Sequence, residues 1–231
     1  MIYFRDAALE AIAPVRVVDV LVSPVGLSPL AHERHIRPGS TFIRARDAER
    51  TVQITFALLT QDREERARQM AEIYRWARSE APGVLRLPGY SGRHLNAICT
   101  GLPEPSTRQW WESKLRLTFT CFDPYWYADN GYAVACGTAF TPFGSVPPRL
   151  RIVRLLSVAA TNQSYSNGSQ TMTFNTIPAG QMVIDLDRQT AEVGGSSIIQ
   201  HMLFTSRFIR PKLGTQTITG AGSVEITERW G

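Results

Sequence analysis

Between residues 50 and 78 the hydrophobic pattern changes period once, and that change restricts the fold more than any other feature of the sequence. From Arg50 to Leu59, Val52, Ile54, Phe56 and Leu58 alternate with Thr51, Gln53, Thr55 and Ala57. A period of two marks a strand with one face buried and one wet, as in an antiparallel sheet. Asp62 and Glu65 then stand at capping-box spacing, and Met70, Ile73, Tyr74 and Ala77 fall at i, i+3, i+4 and i+7. The spacing predicts a helix from Asp62 to Arg78, ended by Pro82-Gly83, that lays this apolar stripe across the sheet. Glu64 is placed to pair with Arg68 one turn on. No other stretch carries a helical pattern.

Strands are expected on both sides. Val15–Val22 reads as one, followed by a loop rich in Pro, Gly and Ser from Ser23 to Leu30. Thr41–Arg46 reads as a strand joined to Arg50–Leu59 by a charged turn at Asp47-Ala48-Glu49. Val84–Leu87 and Leu95–Thr100 flank a hairpin loop, Pro88 to Arg93. Pro103 and Pro105 punctuate the chain. Trp110–Phe122 is a long strand with Leu115, Leu117, Phe119 and Cys121 facing in and Trp111 on its edge. Residues 1–130 therefore read as an α+β domain, a β-sandwich with one helix on a face.

Past Tyr127 the texture changes. Pro142, Pro147 and Pro148 cluster with Gly137 and Gly144, which makes 131–148 a linker. Short polar strands are then expected at Arg149–Val158, Gln170–Thr176, Gln181–Asp187, Ala191–Val193, Met202–Phe204, Thr215–Thr219 and Val224–Trp230. Asn167-Gly168 and Gly194-Gly195 supply turns. Residues 149–231 thus read as a second, all-β sandwich. At the junction, Asp123-Pro124 should stop the sheet ladder, because proline has no N–H and restricts the residue before it. Tyr125, Trp126 and Tyr127, each with an apolar body and a polar tip, should pack where one domain ends and the next begins.

Composition narrows the function. With 43% apolar and 19% charged residues the chain can bury a core. Its net charge of +5 comes almost wholly from arginine, since Lys114 and Lys212 are the only lysines. The arginines alternate with acids, as in Arg44-Ala45-Arg46-Asp47-Ala48-Glu49-Arg50, and form neither a polybasic stripe nor a recognition helix. Nucleic acid is therefore not an expected partner. Arginine use reflects either a GC-rich genome or protein–protein interfaces, where its planar fork makes bidentate pairs. No apolar run is long enough to span a bilayer, and MIYFRDAALE does not read as a signal peptide, so synthesis and assembly in a cytoplasm are expected.

The residues that could carry chemistry have plainer explanations. Cys99, Cys121 and Cys136 are odd in number and widely spaced, as buried apolar residues and not as a disulfide or zinc framework. His32 and His35 form an HxxH pair without a third ligand nearby. Glu64 and Glu65 suit the first turn of a helix better than a catalytic pair. Asp185 and Asp187 lie on one face of a strand, offer too few oxygens for calcium and sit too close to flank a sugar bond, so a strand-end turn is the reading. Asn162-Gln163-Ser164 and Asn167-Gly168-Ser169 match glycosylation sequons but read as polar loops. His94 and His201 are isolated, and GxSxG, P-loop, GxGxxG and HExxH patterns are absent. No catalytic residue, cofactor or metal is predicted. The profile is that of an assembly or binding component, not an enzyme; the alternative is a module that binds a bacterial surface glycan through the second sandwich.

In its order of features the chain resembles the distal tail proteins of long-tailed, non-contractile bacteriophages, the Dit-like tail-tip hubs. The resemblance rests on the paired strands of Thr41–Leu59, the acid-capped helix, the turn Pro88-Gly89-Tyr90, and above all Phe119-Thr120-Cys121-Phe122-Asp123-Pro124-Tyr125-Trp126-Tyr127, similar to the family's F-x-C-x-DP-Y-x-Y close of its N-terminal domain. Val183-Ile184-Asp185-Leu186-Asp187 and Trp230 add a weaker match in the second half. The family's early F-x-G-x-x-S stretch is replaced here by Phe4-Arg5-Asp6-Ala7-Ala8. The resemblance implies a homohexameric ring built by the N-terminal domain between the tail tube protein and the baseplate or tail-tip hub protein. It also implies a galectin-like or similar C-terminal sandwich that faces outward toward a receptor-binding protein or a host glycan. The place implied is the virion tail tip. A head-to-tail ring needs two complementary patches on each subunit, and free strand edges can supply main-chain pairing between copies.

Overall fold

The computed structural model describes residues 1–33, 40–60, 62–102 and 114–231. The chain divides into two compact units, Met1–Trp126 with Gly231, and Tyr127–Trp230. It is mostly β-sheet with one long helix.

The first unit runs β1 (Tyr3–Phe4), β2 (Ala7–Ala8), α1 (Leu9–Ile12), β3 (Val15–Val22), β4 (Leu27–Glu33), β5 (Ser40–Asp47), β6 (Arg50–Leu58), α2 (Arg63–Ala77), β7 (Gly83–Arg86), β8 (Arg93–Gly101) and β9 (Lys114–Cys121). The alternation in β6 is realised: Val52, Ile54, Phe56 and Leu58 are buried, and the residues between them are half-buried on the opposite face. β6 pairs antiparallel with β3 and β9, β9 with β8, β8 with β7, and β7 with β1. β8 divides its length, pairing β7 through Leu95–Ala97 and β9 from Ile98 on. The inward residues of β9 are Leu115, Leu117, Phe119 and Cys121, as the sequence predicts.

Helix α2 covers this core. Asp62 caps it by accepting the backbone N–H groups of Glu64 and Glu65, both at 3.3 Å. The ion pair expected of Glu64 is made by Glu65 instead, which takes Arg68 at 2.6 Å and Gln69 Nε2 at 2.8 Å. The buried face is also turned from the expected stripe. Met70, Ile73 and Ala77 are buried, but Gln69 and Trp76 join them while Tyr74 is half-buried. Trp76 explains the rotation. Its Nε1 donates to the Ala7 carbonyl at 2.9 Å, and its ring meets Phe4 and Phe119 edge-on at 5.8 and 6.3 Å. Phe4 and Phe119 close the trio at 5.1 Å, so the N-terminal strand, the helix and β9 share one aromatic contact.

Two expectations fail here. Thr41–Arg46 does not pair with the strand that follows it; β5 pairs with β4, from Leu27↔Asp47 to Glu33↔Ser40. Leu27–Glu33, read as part of a loop, is thus a strand that contains Pro29. A two-stranded ribbon tolerates proline because its outer edges need no ladder donor. Trp110, Trp111, Pro103, Pro105 and His35 lie outside the described residues.

The chain leaves the first unit through β10 (Trp126–Ala128). The second unit continues β11 (Tyr132–Ala135), β12 (Ala139–Phe140), β13 (Val146–Leu156), β14 (Ala160–Ser166), β15 (Thr171–Ile177), β16 (Gly180–Asp185), β17 (Thr190–Val193), β18 (Ser196–Ser197), β19 (Gln216–Thr217) and β20 (Ser223–Trp230). One antiparallel sheet has the order β11-β20-β13-β16-β17-β18. The β14–β15 hairpin and the β12–β19 pair complete the unit around a core that includes Leu150, Ile152, Tyr165, Phe174, Ile184 and Ile226. Gly194 and Gly195 (φ 56° and 82°) form the turn between β17 and β18.

Residues 131–148, read from the sequence as a linker, carry β11, β12 and the start of β13. Pro147 and Pro148 sit inside β13 at a bulge, where the register against β20 shifts between Val146 and Arg149. A bulge leaves residues out of the ladder, which is where a residue without N–H is harmless. Met202–Phe204 is not a strand: Met202 makes a single bridge to Phe174 after a 3₁₀ turn, Ile199–His201. Among the described residues no helix is long and apolar enough to cross a membrane.

Replacing Phe119 by Ala removes the centre of the aromatic trio. It should cost about 3–5 kcal/mol of unfolding free energy, read from the denaturant midpoint of the full chain. Leu155→Ala, at a side chain 81% exposed, should move it by no more than about 0.5 kcal/mol.

Candidate functional site

The strands β3 and β6 pair out to Val22↔Val52, and the same two runs of chain pair again from Leu27↔Asp47 as β4 and β5. Between the two stretches, Ser23 N donates to Thr51 O at 2.9 Å, Thr51 N to Ser23 Oγ at 2.8 Å, and Ala48 N to Gly26 O at 2.8 Å. The ribbon is therefore an outward continuation of the β3–β6 pair. Among the described residues no third strand pairs with β4 or β5.

The root of this ribbon is the turn from Asp47 to Arg50, and the aromatic signature after β9 grips both ends of it. β9 stops at Cys121, and Asp123, half-buried, and Pro124, buried, carry the chain without strand pairing to Tyr125. The Tyr125 hydroxyl donates to Asp47 Oδ2. The guanidinium of Arg50 lies over the Trp126 indole at 5.8 Å. Tyr90, from the loop between β7 and β8, stacks on the same indole with centroids 4.2 Å apart and planes 14° apart. Arg50 is buried, and its Nε and Nη1 have no hydrogen-bond partner. Burial pulls its pKa below the ordinary arginine value, while Cys121 and Tyr90 push it back up less strongly. The face of Trp126 is thus what stabilises the cation where water does not.

Of the five signature residues, Tyr125 and Trp126 act within the first unit. Tyr127 acts within the second, where Arg229 lies over its ring at 5.9 Å. Sequence reading did not find their partners Asp47, Arg50 and Tyr90. The available signal was weak: an Arg/Asp run and a Pro-Gly-Tyr turn distant in sequence from the signature.

The other candidates resolve into structural roles. Asp185 is buried at the end of β16, where its Oδ1 accepts the N–H groups of Asp187 and Arg188 at 3.1 and 3.0 Å and its Oδ2 takes Arg149 at 2.5 Å. Asp187 pairs with Arg229 Nη1 at 3.1 Å. The two acids therefore close a strand-end turn and face different arginines. Burial raises the Asp185 pKa, but the Arg188 N–H and the Arg149 guanidinium outweigh it and hold the group below the ordinary aspartate value. Burial pushes the Cys99 thiol up to about 11 and Cys121 to about 12, so neither is a thiolate nucleophile near neutrality. Glu64 lies in the first turn of α2, His94 on β8, and His201 in the 3₁₀ turn of the other unit. Among the described residues no three His, Cys, Asp or Glu side chains converge to hold a metal ion.

Solved structures of phage tail proteins share this fold. The Dit protein (gp 19.1) of phage SPP1, described as a paradigm of the hub adsorption apparatus in phages infecting Gram-positive bacteria, superposes with a TM-score of 0.78 at 14% identity. That match covers 99% of this chain and 98% of the other. The phage p2 baseplate in its activated conformation matches in two forms. With Sr the TM-score is 0.53 at 10% identity, and with Ca it is 0.52 at 9%, each covering 93% of this chain and 90% of that one. The chain has a Dit-like fold along its whole length. No protein-family model matches the sequence, and no curated protein is significantly similar to it.

Because the folded pKa of Asp185 lies below its unfolded value, the carboxylate stabilises the chain above the unfolded pKa of about 4. That contribution should fade as pH falls through the folded pKa. Asp185→Asn should lower stability at pH 7 and flatten the loss below about pH 4, followed by urea melts across pH.

Proposed function

We propose that this chain is a structural hub of a long, non-contractile phage tail tip, forming a hexameric ring that joins the tail tube to baseplate or tail-tip proteins. The observation that carries the reading is the end-to-end fold match to the SPP1 Dit hub. The ribbon β4–β5 supports it, since two strands without a third neighbour among the described residues offer backbone donors and acceptors to another copy. In a head-to-tail ring each subunit gives one patch and receives another. The signature Asp123, Pro124, Tyr125, Trp126 and Tyr127 serves this role by fixing the root of the ribbon and closing the first unit. The chain works by binding and catalyses nothing; the buried or paired state of its candidate nucleophiles and acids agrees with that. Its place is the virion tail tip, assembled in the bacterial cytoplasm, with the second unit a galectin-like sandwich. A glycan module is the weaker reading: of the aromatics at 150–229, Tyr165 and Phe174 are core residues and Phe208 is half-buried, which leaves Phe204 as a single exposed ring to serve as a sugar platform.

The test is imaging by negative stain, on purified chain and on intact particles. Wild type should give six-fold rings, at least when the tail tube protein is present to template them. A variant with residues 27–47 replaced by a short Gly-Ser link should stay folded but fail to close rings. Rings from both, or a single copy per particle, would overturn the proposal.

A further inference from the structure

We propose that the cleft between the N-terminal turn and the C-terminal end of α2 binds a carboxylate-bearing segment of a neighbouring protein, through the guanidinium groups of Arg5 and Arg78. The cleft is about 520 Å³ and is lined by Arg5, Arg75, Arg78, Ser79, Glu80, Ala81 and Pro82.

The first support is a backbone cost. Arg5 and Asp6 form the two-residue turn between β1 and β2, and both are left-handed, at φ 52° and 64°. Such turns favour Asn and Gly. Asp6 has a structural return, because its Oδ1 pairs with Arg86 at 2.9 Å. Arg5 has little: its guanidinium makes one long contact, 3.5 Å to the Arg78 carbonyl. Strain at a residue whose side chain gives so little structural return points to another use of that side chain.

The second support is the room kept for that side chain. Gly83 is not in a left-handed conformation, yet a Cβ there would lie 2.6 Å from Arg5 Cγ and 2.9 Å from the Phe4 ring. The glycine lets the arginine stem cross β7 and reach the helix end. The third support is charge. Arg75 is held by Glu72 at 2.8 Å, whereas neither Arg5 nor Arg78 forms an ion pair among the described residues, and Glu80 is the only acid lining the cleft. Two unpaired guanidinium forks match a carboxylate. The cleft is open and walled by Ala81 and Pro82, which suits a side chain presented on a peptide. That the segment belongs to a neighbouring assembly protein rests on the hub reading; the site itself does not.

The test is calorimetric titration of the full chain with a hexaglutamate peptide and, separately, with inorganic phosphate, at low salt, alongside thermal melts. Wild type should bind the peptide at one saturable site. Arg5→Gly and Arg78→Ala should each weaken it about tenfold or more, while Arg116→Ala, on β9 outside the cleft, should stay within about twofold. Arg5→Gly should also raise Tm, since glycine relieves the turn. A lower Tm with unchanged binding would make Arg5 a helix cap only. Equal losses from Arg116→Ala, or binding of phosphate but not peptide, would equally overturn the proposal. These readings come from the isolated chain, so a failure to form rings would count against the hub reading without touching them.

Discussion

A two-stranded ribbon has no core of its own and is marginal in water. The ribbon β4–β5 therefore depends on what holds its root, and much of the first unit is arranged around that root. β6 is both the middle strand of the packed sheet and the continuation of the ribbon's inner end. Its ladder with β9 and its buried residues anchor it in the core, while Ser23 and Gly26 tie the far strand to the same turn. The clamp of Tyr125 on Asp47 and Trp126 on Arg50 then joins the end of the sheet to that turn. A free-edged ribbon without such an anchor would sample many directions, and each would cost ordering entropy when a partner arrives.

The second unit uses buried charge to similar effect near its C-terminal strand. Glu228 is buried and accepts the Phe143 and Gly144 N–H groups at 3.0 and 2.9 Å and the Tyr132 hydroxyl at 3.0 Å. Burial and the neighbouring carboxylate push the Tyr132 phenol up to about 12, so the donor stays protonated. Arg229, one residue on, donates from Nε to the Pro147 carbonyl at 2.7 Å and reaches Asp187 and Tyr127. The last turns of β20 thus hold the irregular stretch before β13 and its bulge in a single geometry. These groups are costly to bury unless every partner is present, which makes alternative arrangements of the loop unfavourable.

Local pattern was legible in the sequence, and partner choice was not. The period of two in β6 and β9 and the cap at Asp62 were readable because burial on one face imposes them directly. Trp76 escaped the stripe because its reason for being buried, the Ala7 carbonyl and the Phe4 ring, lies at the other end of the unit. The ribbon was misread because Pro29 and its Ser/Gly surroundings have loop composition, and nothing local says that β5 pairs backward with β4. Pro147-Pro148 misled in the same way, since a bulge hides proline inside a strand. The signature residues stood out as aromatic, but their grip on Asp47 and Arg50 is a long-range contact without a sequence spacing to betray it.

The most direct test of this account is amide hydrogen exchange on the full chain carrying Tyr125→Phe, compared with wild type. Removing one hydroxyl should speed exchange several-fold at the amides of residues 40–47 while leaving those of β6 and β9 at wild-type rates, because only the root of the ribbon is loosened. Unchanged exchange along β5, or faster exchange spread evenly across the whole sheet, would contradict the claim that the aromatic signature holds the ribbon in place.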